Sequence, residues 1–594
     1  MFVSRLQIRN FRNFRMLDVA LGGDSVFVGE NKVGKSNLIH AIRLVLDPSL
    51  PDSARYLRLD DFWDGLPRPL ARDHAIEVAL DFRDFETRPS LLSLLADSVV
   101  ETEPFTSRFT YRYTASQDTG EAIRSDVELK WAIFGGDRPD NVIPLETRRR
   151  LAVDVLPALR DAESDLQRWR ASPLRPLMEQ AASTIEPDEL LRISGAITAG
   201  SRQLAAIPEV AGVAREINER LMEMVGAGHG LEFLLSATEA DADKLVRSLR
   251  LFFDNGVRSI SDASLGSANL LYLALKTLEL RLTVEQQRRN FVFLAIEEPE
   301  AHLHPHLQRL VYSDFLRTRV EQDQPPEHDQ LIFLTTHSPH VVSVSPVRSI
   351  VLLKRIGEPV ETVALSSATL EFDADEVSDL ERYLNVTRSE LVFARGVILV
   401  EGMAEAFLVP AFAKLLGTDF DKLGITVCSV EGTHFAAYVK LLSQAGLDIP
   451  FSVITDLDPR EDEPAGAVTR IRALLTVLGR NVDEAEGDHR LLEEGRSKGV
   501  FVNGSTLERE LWTAGAAGPI CQALEELAET AASRQRFKQW ASTVESVPLD
   551  SVMSAIERAG KGRVAQRLAS KLNAAICPVY IKEAIEHVTQ QLPQ

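Results

Sequence analysis

The sequence holds little cysteine: Cys428, Cys521 and Cys577 are the three in 594 residues. They lie far apart and match no zinc-ligand or disulfide spacing, which argues against a disulfide scaffold and suits a reducing compartment. Positive charge is also in short supply, with 66 Lys and Arg against 87 Asp and Glu and a net charge of −21. That argues against a surface coated in basic residues for indiscriminate nucleic-acid binding. Nucleic acid itself stays open, because bound cations reverse the sign of an acidic centre. No apolar run is long enough to span a bilayer. The opening MFVSRLQIRNFRNF alternates apolar and polar residues, as a strand does, and has no signal-peptide core. A cytoplasmic protein without membrane contact is expected. Internal repeats and long low-complexity tracts are absent too. The chain is too long for one hydrophobic core, so two or three domains are expected.

The pattern along the chain changes three times. Residues 1 to about 130 read as strands with short helices. From about 145 to 235 the pattern is helical: Val210, Val213, Ala214, Ile217, Leu221 and Met224 recur at three- and four-residue steps. Strand signals return between 240 and 355, and a second α/β unit begins near 390.

Gly29 to Ser36 reads GENKVGKS, a full GxxxxGK[ST] match, between a strand-like run at Val26–Val28 and a helix-like run at Asn37–Leu46. Its glycines let backbone N–H groups wrap phosphates at a helix N-terminus. Lys35 is expected to reach the β and γ phosphates and Ser36 to ligate Mg²⁺. Gly29, Asn31, Gly34 and Asn37 complete the expected ATP loop. In FVFLAIEEPEAHLHP, 291–305, an apolar strand delivers Glu297 and Glu298 at its end. Glu297 suits the acid that supports the metal, and Glu298 the base that activates water. In LIFLTTHSPH, 331–340, another apolar strand ends at His337, placed to donate a hydrogen bond to a γ-phosphate. SDASLGSANLLYLAL, 261–275, sets Ser264 and Gly266 before an apolar helix whose N-terminus suits a nucleotide held by another subunit.

This ordered set resembles the ABC-type ATPases of the SMC and RecF group over roughly residues 1–360. Two departures stand out. Glu297 occupies the place of the family's usual Asp, and SLGSAN is a loose version of its signature LSGGQ, so slow hydrolysis is expected.

A second constellation lies downstream. GVILVEG, 396–402, is an apolar strand ending in Glu401, and Glu405 follows one helical turn later. FSVITDLD, 451–458, ends in Asp456 and Asp458. In an open parallel sheet the C-terminal strand ends share one edge, so these acids are expected to meet there. Such crowding is tolerable with cations between the carboxylates, and hard oxygen ligands select Mg²⁺ or Mn²⁺. GVFVNGSTLERELW, 499–512, repeats the theme with Ser505 and Glu508 as candidate ligands and Glu510 as a weaker one. ERAGKGRVAQRLA, 557–569, offers Lys561 and Arg563 in a glycine-flanked turn, where a cation can stabilise charge on a cleaved phosphodiester. The E-G-x-x-E and D-x-D pattern resembles a Toprim domain.

An ABC-type ATPase split by a helical insert and followed by a Toprim domain resembles the OLD (overcoming lysogenization defect) family of ATP-dependent endonucleases. The resemblance implies an α/β chain divided as 1–145 and 239–375 for the ATPase, 146–238 for a helical dimerisation insert, and 390–594 for the nuclease with C-terminal helices. It implies a nuclease site of Glu401, Glu405, Asp456, Asp458, Glu508 and Lys561, with two divalent ions there and one more beside ATP. It further implies DNA as partner, a homodimer or higher oligomer, a possible helicase partner, and a role in antiphage defence or DNA repair. An ATP-driven DNA clamp without nuclease activity stays open as the alternative. A topoisomerase-like reading requires a nucleophilic tyrosine, and neither Tyr438 nor Tyr580 lies in a recognisable nucleophile context.

Overall fold

The computed structural model describes residues 1–116, 122–158, 162–170, 172–225, 247, 249–253, 258–301, 303–317, 330–384, 386–457, 466–483 and 486–592. They form two compact units, one of Met1–Ala158 with Phe291–Gln594 and the other of Leu159–Asn290.

The first unit contains three large sheets. The first is antiparallel along Phe14–Ala20, Phe2–Phe11, Ile76–Arg83, Phe105–Ala115 and Val99–Thr102, with Leu129–Gly135 also pairing with Phe105–Ala115. Alternation drives it: Leu6 and Ile8 face the core while Gln7 and Arg9 take the other face.

The second sheet runs in the order Val153–Leu156, Val292–Glu297, Gln330–Thr336, Ser25–Val28, Ile350–Ile356 and Glu361–Ser366. It is parallel except at the last pairing. Its central strands are continuous apolar runs, as expected where both faces are covered. The Lys35–Leu46 helix packs on strands of both sheets and buries Leu38, Ile39, Ile42 and Val45. An aromatic seam joins the two sheets. Phe82 lies 5.1 Å from Phe109 and 6.0 Å from Phe293, which stacks on Phe333 at 6.2 Å. Full burial of one such ring contributes about 1.5–3 kcal/mol.

The third sheet is wholly parallel, in the order Ile425–Ser429, Gly396–Val400, Phe451–Thr455 and Val500–Val502. The helices Met403–Leu415 and Val579–Gln591 pack on it. Gly396 allows the second of these to approach closely, since a Cβ there would stand 2.6 Å from Val588 Cγ1. Polar contacts tie this sheet and the segments around it to residues 354–388. Lys440 Nζ reaches Glu376 at 2.6 Å and the Glu371 carbonyl at 2.7 Å, and Arg388 Nε donates to the Ser429 carbonyl at 2.8 Å. Lys354 donates to the carbonyl of Asp448.

The second unit is helical, with Leu174–Ser183, Pro187–Ala205, Pro208–Val225 and Leu265–Glu285 as its main elements. A small core of Ala162, Leu166, Ile260, Ala268 and Leu275 holds it. Ile193, Ile197, Val213 and Ile217 are exposed along its helical hairpin. No helix among the described residues is long and apolar enough to cross a membrane.

The aromatic seam yields a stability prediction. Phe293→Ala should destabilise the ATPase half by about 3–5 kcal/mol, as other buried Phe truncations do. Thermal unfolding followed by circular dichroism checks this, and an unchanged melting profile would show that the seam is not a principal support.

Candidate functional site

Two sites take shape in the first unit, each at the C-terminal ends of parallel strands. At the nucleotide loop, Gly29 and Gly34 adopt φ of 150° and 105°, values that side chains resist. Space is equally tight: a Cβ on Gly29 would stand 2.6 Å from the Leu353 carbonyl, and one on Gly34 2.1 Å from Asn13 Nδ2. Asn13 braces the loop by donating to the Val33 carbonyl at 2.9 Å and accepting from Asn37 Nδ2 at 2.6 Å. Arg12 donates to Asn37 Oδ1 at 2.8 Å and pairs with Asp61. Asn37 is thus engaged in holding the loop's shape. Asn31 is an exposed member of the same loop.

Lys35 is folded back on its own loop. Its Nζ donates to the carbonyls of Gly29 at 2.9 Å and Glu30 at 3.0 Å, and lies 3.4 Å from His337 Nδ1. Burial pulls its pKa down to about 8, against the opposing pull of Glu298 and Glu300. Ser36 hydrogen-bonds Glu297, whose carboxyl burial holds above the usual range despite that bond. Glu297 is thus in contact with the loop serine. Glu298 adopts a left-handed φ of 42°, costly for a side-chain-bearing residue, while its N–H donates to the Thr335 carbonyl at 2.9 Å. That turn carries Glu298 to His337, 3.3 Å from its Nε2. Sequence reasoning passed over Glu300, whose Oε1 accepts the His337 backbone N–H at 2.6 Å. Ser264 caps the Leu265–Glu285 helix of the other unit by accepting from Ser267 N–H at 3.2 Å, with Gly266 in the first turn.

The third sheet presents the acids. Glu401 and Asp456 follow adjacent strands, and Glu401 Oε1 accepts the Asp456 backbone N–H at 2.9 Å and the Thr455 hydroxyl. Arg470 Nη2 stands 3.6 Å from the same oxygen and donates to the Asp456 carbonyl. Asn503, at the end of the next strand, donates to Asp456 Oδ1 and accepts the Leu457 N–H at 3.0 Å. Glu405 lies in the first turn of the Met403–Leu415 helix, beside Gly402. Glu508 is 9% exposed, and Lys561 Nζ is 3.3 Å from it. Gly562 lets the helix bearing Lys561 press against Met403, with a Cβ position 3.2 Å from Met403 Cβ. Ser505 lies in the turn before Glu508. Glu510 accepts the Gly504 N–H at 2.8 Å, which gives it a local structural partner, and Arg563 is exposed. Asp458 lies outside the described residues.

Charge is crowded at this edge. Burial, then Glu401, Glu405 and Glu508, push Asp456 up to about 7 against the opposing bond from Asn503. Burial, Glu508 and Glu401 likewise raise Glu405. Lys561 is held above its ordinary value by Glu508, Asp456 and Glu405, although burial pulls it down. Among the described residues no three His, Cys, Asp or Glu side chains are arranged to hold a metal ion as they stand. Glu401 is turned to Thr455 and Arg470, and Glu508 to Lys561. The donor set nevertheless fits a hard divalent cation: all candidate side-chain ligands are oxygens, and a cation relieves the repulsion that raises Asp456 and Glu405. Strand-end position, the rule that singles out Glu401 and Asp456, also points to Thr455 and Asn503. Arg470 lies on a following helix and carries no such signal.

Comparisons with known proteins agree with both halves. Residues 392–458 match the model described as Overcoming lysogenization defect protein-like, TOPRIM domain, and residues 1–108 and 205–342 match the AAA ATPase domain. These domains imply use of a nucleotide and a divalent metal. The chain is 24% identical to the OLD nuclease of Thermus scotoductus over 543 residues, covering 86% of this chain and 91% of that protein. It is 23% identical to Endonuclease GajA of Bacillus cereus strain VD045 over 521 residues, covering 84% and 83%. The solved C-terminal region of the Burkholderia pseudomallei OLD protein is 44% identical, covering 34% of this chain and 99% of that one, with a TM-score of 0.30.

A pH prediction follows from Asp456. Its pKa of about 7 exceeds the ordinary carboxylate value, so without a cation the carboxyl is mostly protonated below about pH 7. Cation binding requires its loss of that proton, so affinity is present above pH 7 and fades below it. Mn²⁺ affinity measured by isothermal titration should fall about tenfold from pH 8 to pH 6. A flat profile would place Asp456 outside the metal site.

Proposed function

The chain belongs to the OLD family, and from that premise we propose that it is an ATP-regulated, metal-dependent DNA endonuclease. The observation that carries this reading is the gathering of Glu401, Glu405, Asp456 and Glu508 at one parallel-sheet edge with Lys561 beside them. Asp456 and Asp458, with Glu401, Glu405, Ser505 and Glu508, are the candidate ligands for two Mg²⁺ or Mn²⁺ ions. When bound, such ions supply an activated water and steady the leaving oxygen of a phosphodiester. The protein's part is to hold the carboxylates charged and oriented. The ammonium of Lys561, now on Glu508, would offset negative charge on the cleaved phosphate and release Glu508 to the metal.

At the other site, Lys35 would exchange its contacts with loop carbonyls for phosphate oxygens. Ser36 and Glu297 would hold Mg²⁺, which neutralises phosphate charge when bound, Glu298 would serve as the base that activates water, and His337 would donate to the γ-phosphate. Gly29, Asn31, Gly34 and Asn37 shape the loop. Ser264 and Gly266 complete a neighbouring subunit's nucleotide site, so a homodimer or larger assembly is part of this reading. We assign residues 1–145 and 239–375 to the ATPase, 146–238 to dimerisation and 390–594 to the nuclease. Work in the cytoplasm on phage or damaged DNA, with or without a helicase partner, fits this assignment.

The deciding experiment is cleavage of supercoiled plasmid with Mg²⁺ or Mn²⁺, with and without ATP. Wild type should nick or linearise the plasmid. Asp456→Ala should lose at least the about 10–100-fold typical when even a metal ligand's support is removed, while keeping ATP turnover. Lys35→Ala should lose ATP turnover and keep Mn²⁺ binding. Metal binding and ATP turnover without cleavage on any DNA would favour the clamp instead.

A further inference from the structure

Two neutral polar side chains stand behind Asp456 and take no part in the chemistry above. Asn503 follows the Val500–Val502 strand and is 5% exposed. Its amide nitrogen donates to Asp456 Oδ1 while its oxygen accepts the Leu457 N–H, so it grips both the side chain and the backbone just beyond it. Tyr580 comes from the Val579–Gln591 helix on the same sheet, packs in the apolar core and is 7% exposed. Its hydroxyl is buried without a hydrogen bond of good geometry, although the Asn503 amide stands beside it and the Asp456 and Glu405 carboxylates act on it. A buried hydroxyl left unpaired is costly, and phenylalanine would fill nearly the same volume without that cost.

The partners of the other acids sharpen the contrast. Glu401 has Arg470 and Glu508 has Lys561, both cations that compete with a metal for the carboxylate. The carboxyl group of Asp456 is instead held by a neutral amide, which orients it and brings no cation to compete with an incoming ion.

We propose that Asn503 and Tyr580 are positioning residues of the metal site, Asn503 fixing the Asp456 carboxylate and the Tyr580 hydroxyl donating to the Asn503–Asp456 pair as Asp456 turns to the ion. This inference rests on the nuclease reading of the acid cluster. Outer-shell partners of this kind typically change metal affinity by about 10–100-fold when removed.

The test uses full-length protein and Mn²⁺, with binding read by electron paramagnetic resonance, alongside cleavage at increasing Mn²⁺. Asn503→Ala should weaken Mn²⁺ binding about tenfold or more. Tyr580→Phe, which keeps the ring and removes one oxygen, should weaken it about threefold or more. In both variants high Mn²⁺ should restore cleavage, and ATP turnover should match wild type. Asp456→Ala provides the reference. If it loses Mn²⁺ while both variants bind as wild type does, the positioning role is overturned and the nuclease reading stands. If Asp456→Ala binds Mn²⁺ unchanged, the acid cluster is not the metal site, and the positioning role falls with it.

Discussion

Repulsion among carboxylates at one edge of a buried parallel sheet is the constraint around which the C-terminal half is built. Two like charges roughly 4 Å apart, at an effective dielectric of about 20, repel by about 4 kcal/mol. Four acids brought together at that edge need compensation. The fold supplies it with Lys561 against Glu508, Arg470 against Glu401, and the Thr455 hydroxyl and Asn503 amide as neutral donors. What remains uncompensated shows as the raised pKa values of Asp456 and Glu405. The site is therefore held short of its full negative charge, which a cation would restore by displacing protons, while its ligands rest on protein partners.

The nucleotide loop stands under the opposite constraint. There two loop carbonyls, with Glu298 and Glu300 nearby, hold the charge of a buried lysine. Both sites lie at the C-terminal ends of parallel strands, where open sheets gather ligands. In each, the ligand's charge completes an arrangement that the protein satisfies only in part.

The two sites share one hydrogen-bonded framework. The Ile350–Ile356 strand pairs with the strand leading into the nucleotide loop, and Leu353 packs against Gly29. The next residue, Lys354, donates to Asp448, three residues before the start of the Phe451–Thr455 strand that delivers Asp456. Lys440, on the Ala436–Leu442 helix, reaches Glu376, and Arg388 reaches the end of the Ile425–Ser429 strand, so both tie the Toprim sheet to the segment that precedes it. Such contacts position the two halves against each other; coupling between the sites requires two arrangements of that framework with different energies.

The strands that carry the chemistry were legible in the sequence, because apolar runs at 292–296, 331–334 and 397–400, and the largely apolar 451–454, break abruptly at polar or acidic residues. A run buried on both faces that stops at an acid is hard to explain by packing alone, so Glu297, Glu401 and Asp456 stood out without coordinates. The nucleotide loop was legible for a related reason: its glycines, lysine and serine are fixed by local backbone geometry. What stayed hidden came from residues distant in sequence. Asn13 and Arg12 hold Asn37, Asn503 and Arg470 hold the region of Asp456, and Tyr580 arrives from a helix more than a hundred residues later. Sequence alone determined which side chains end the strands, since period and polarity are local properties. Only the tertiary structure decided which partners those side chains meet, because hydrogen bonds and charge repulsion depend on distance in space.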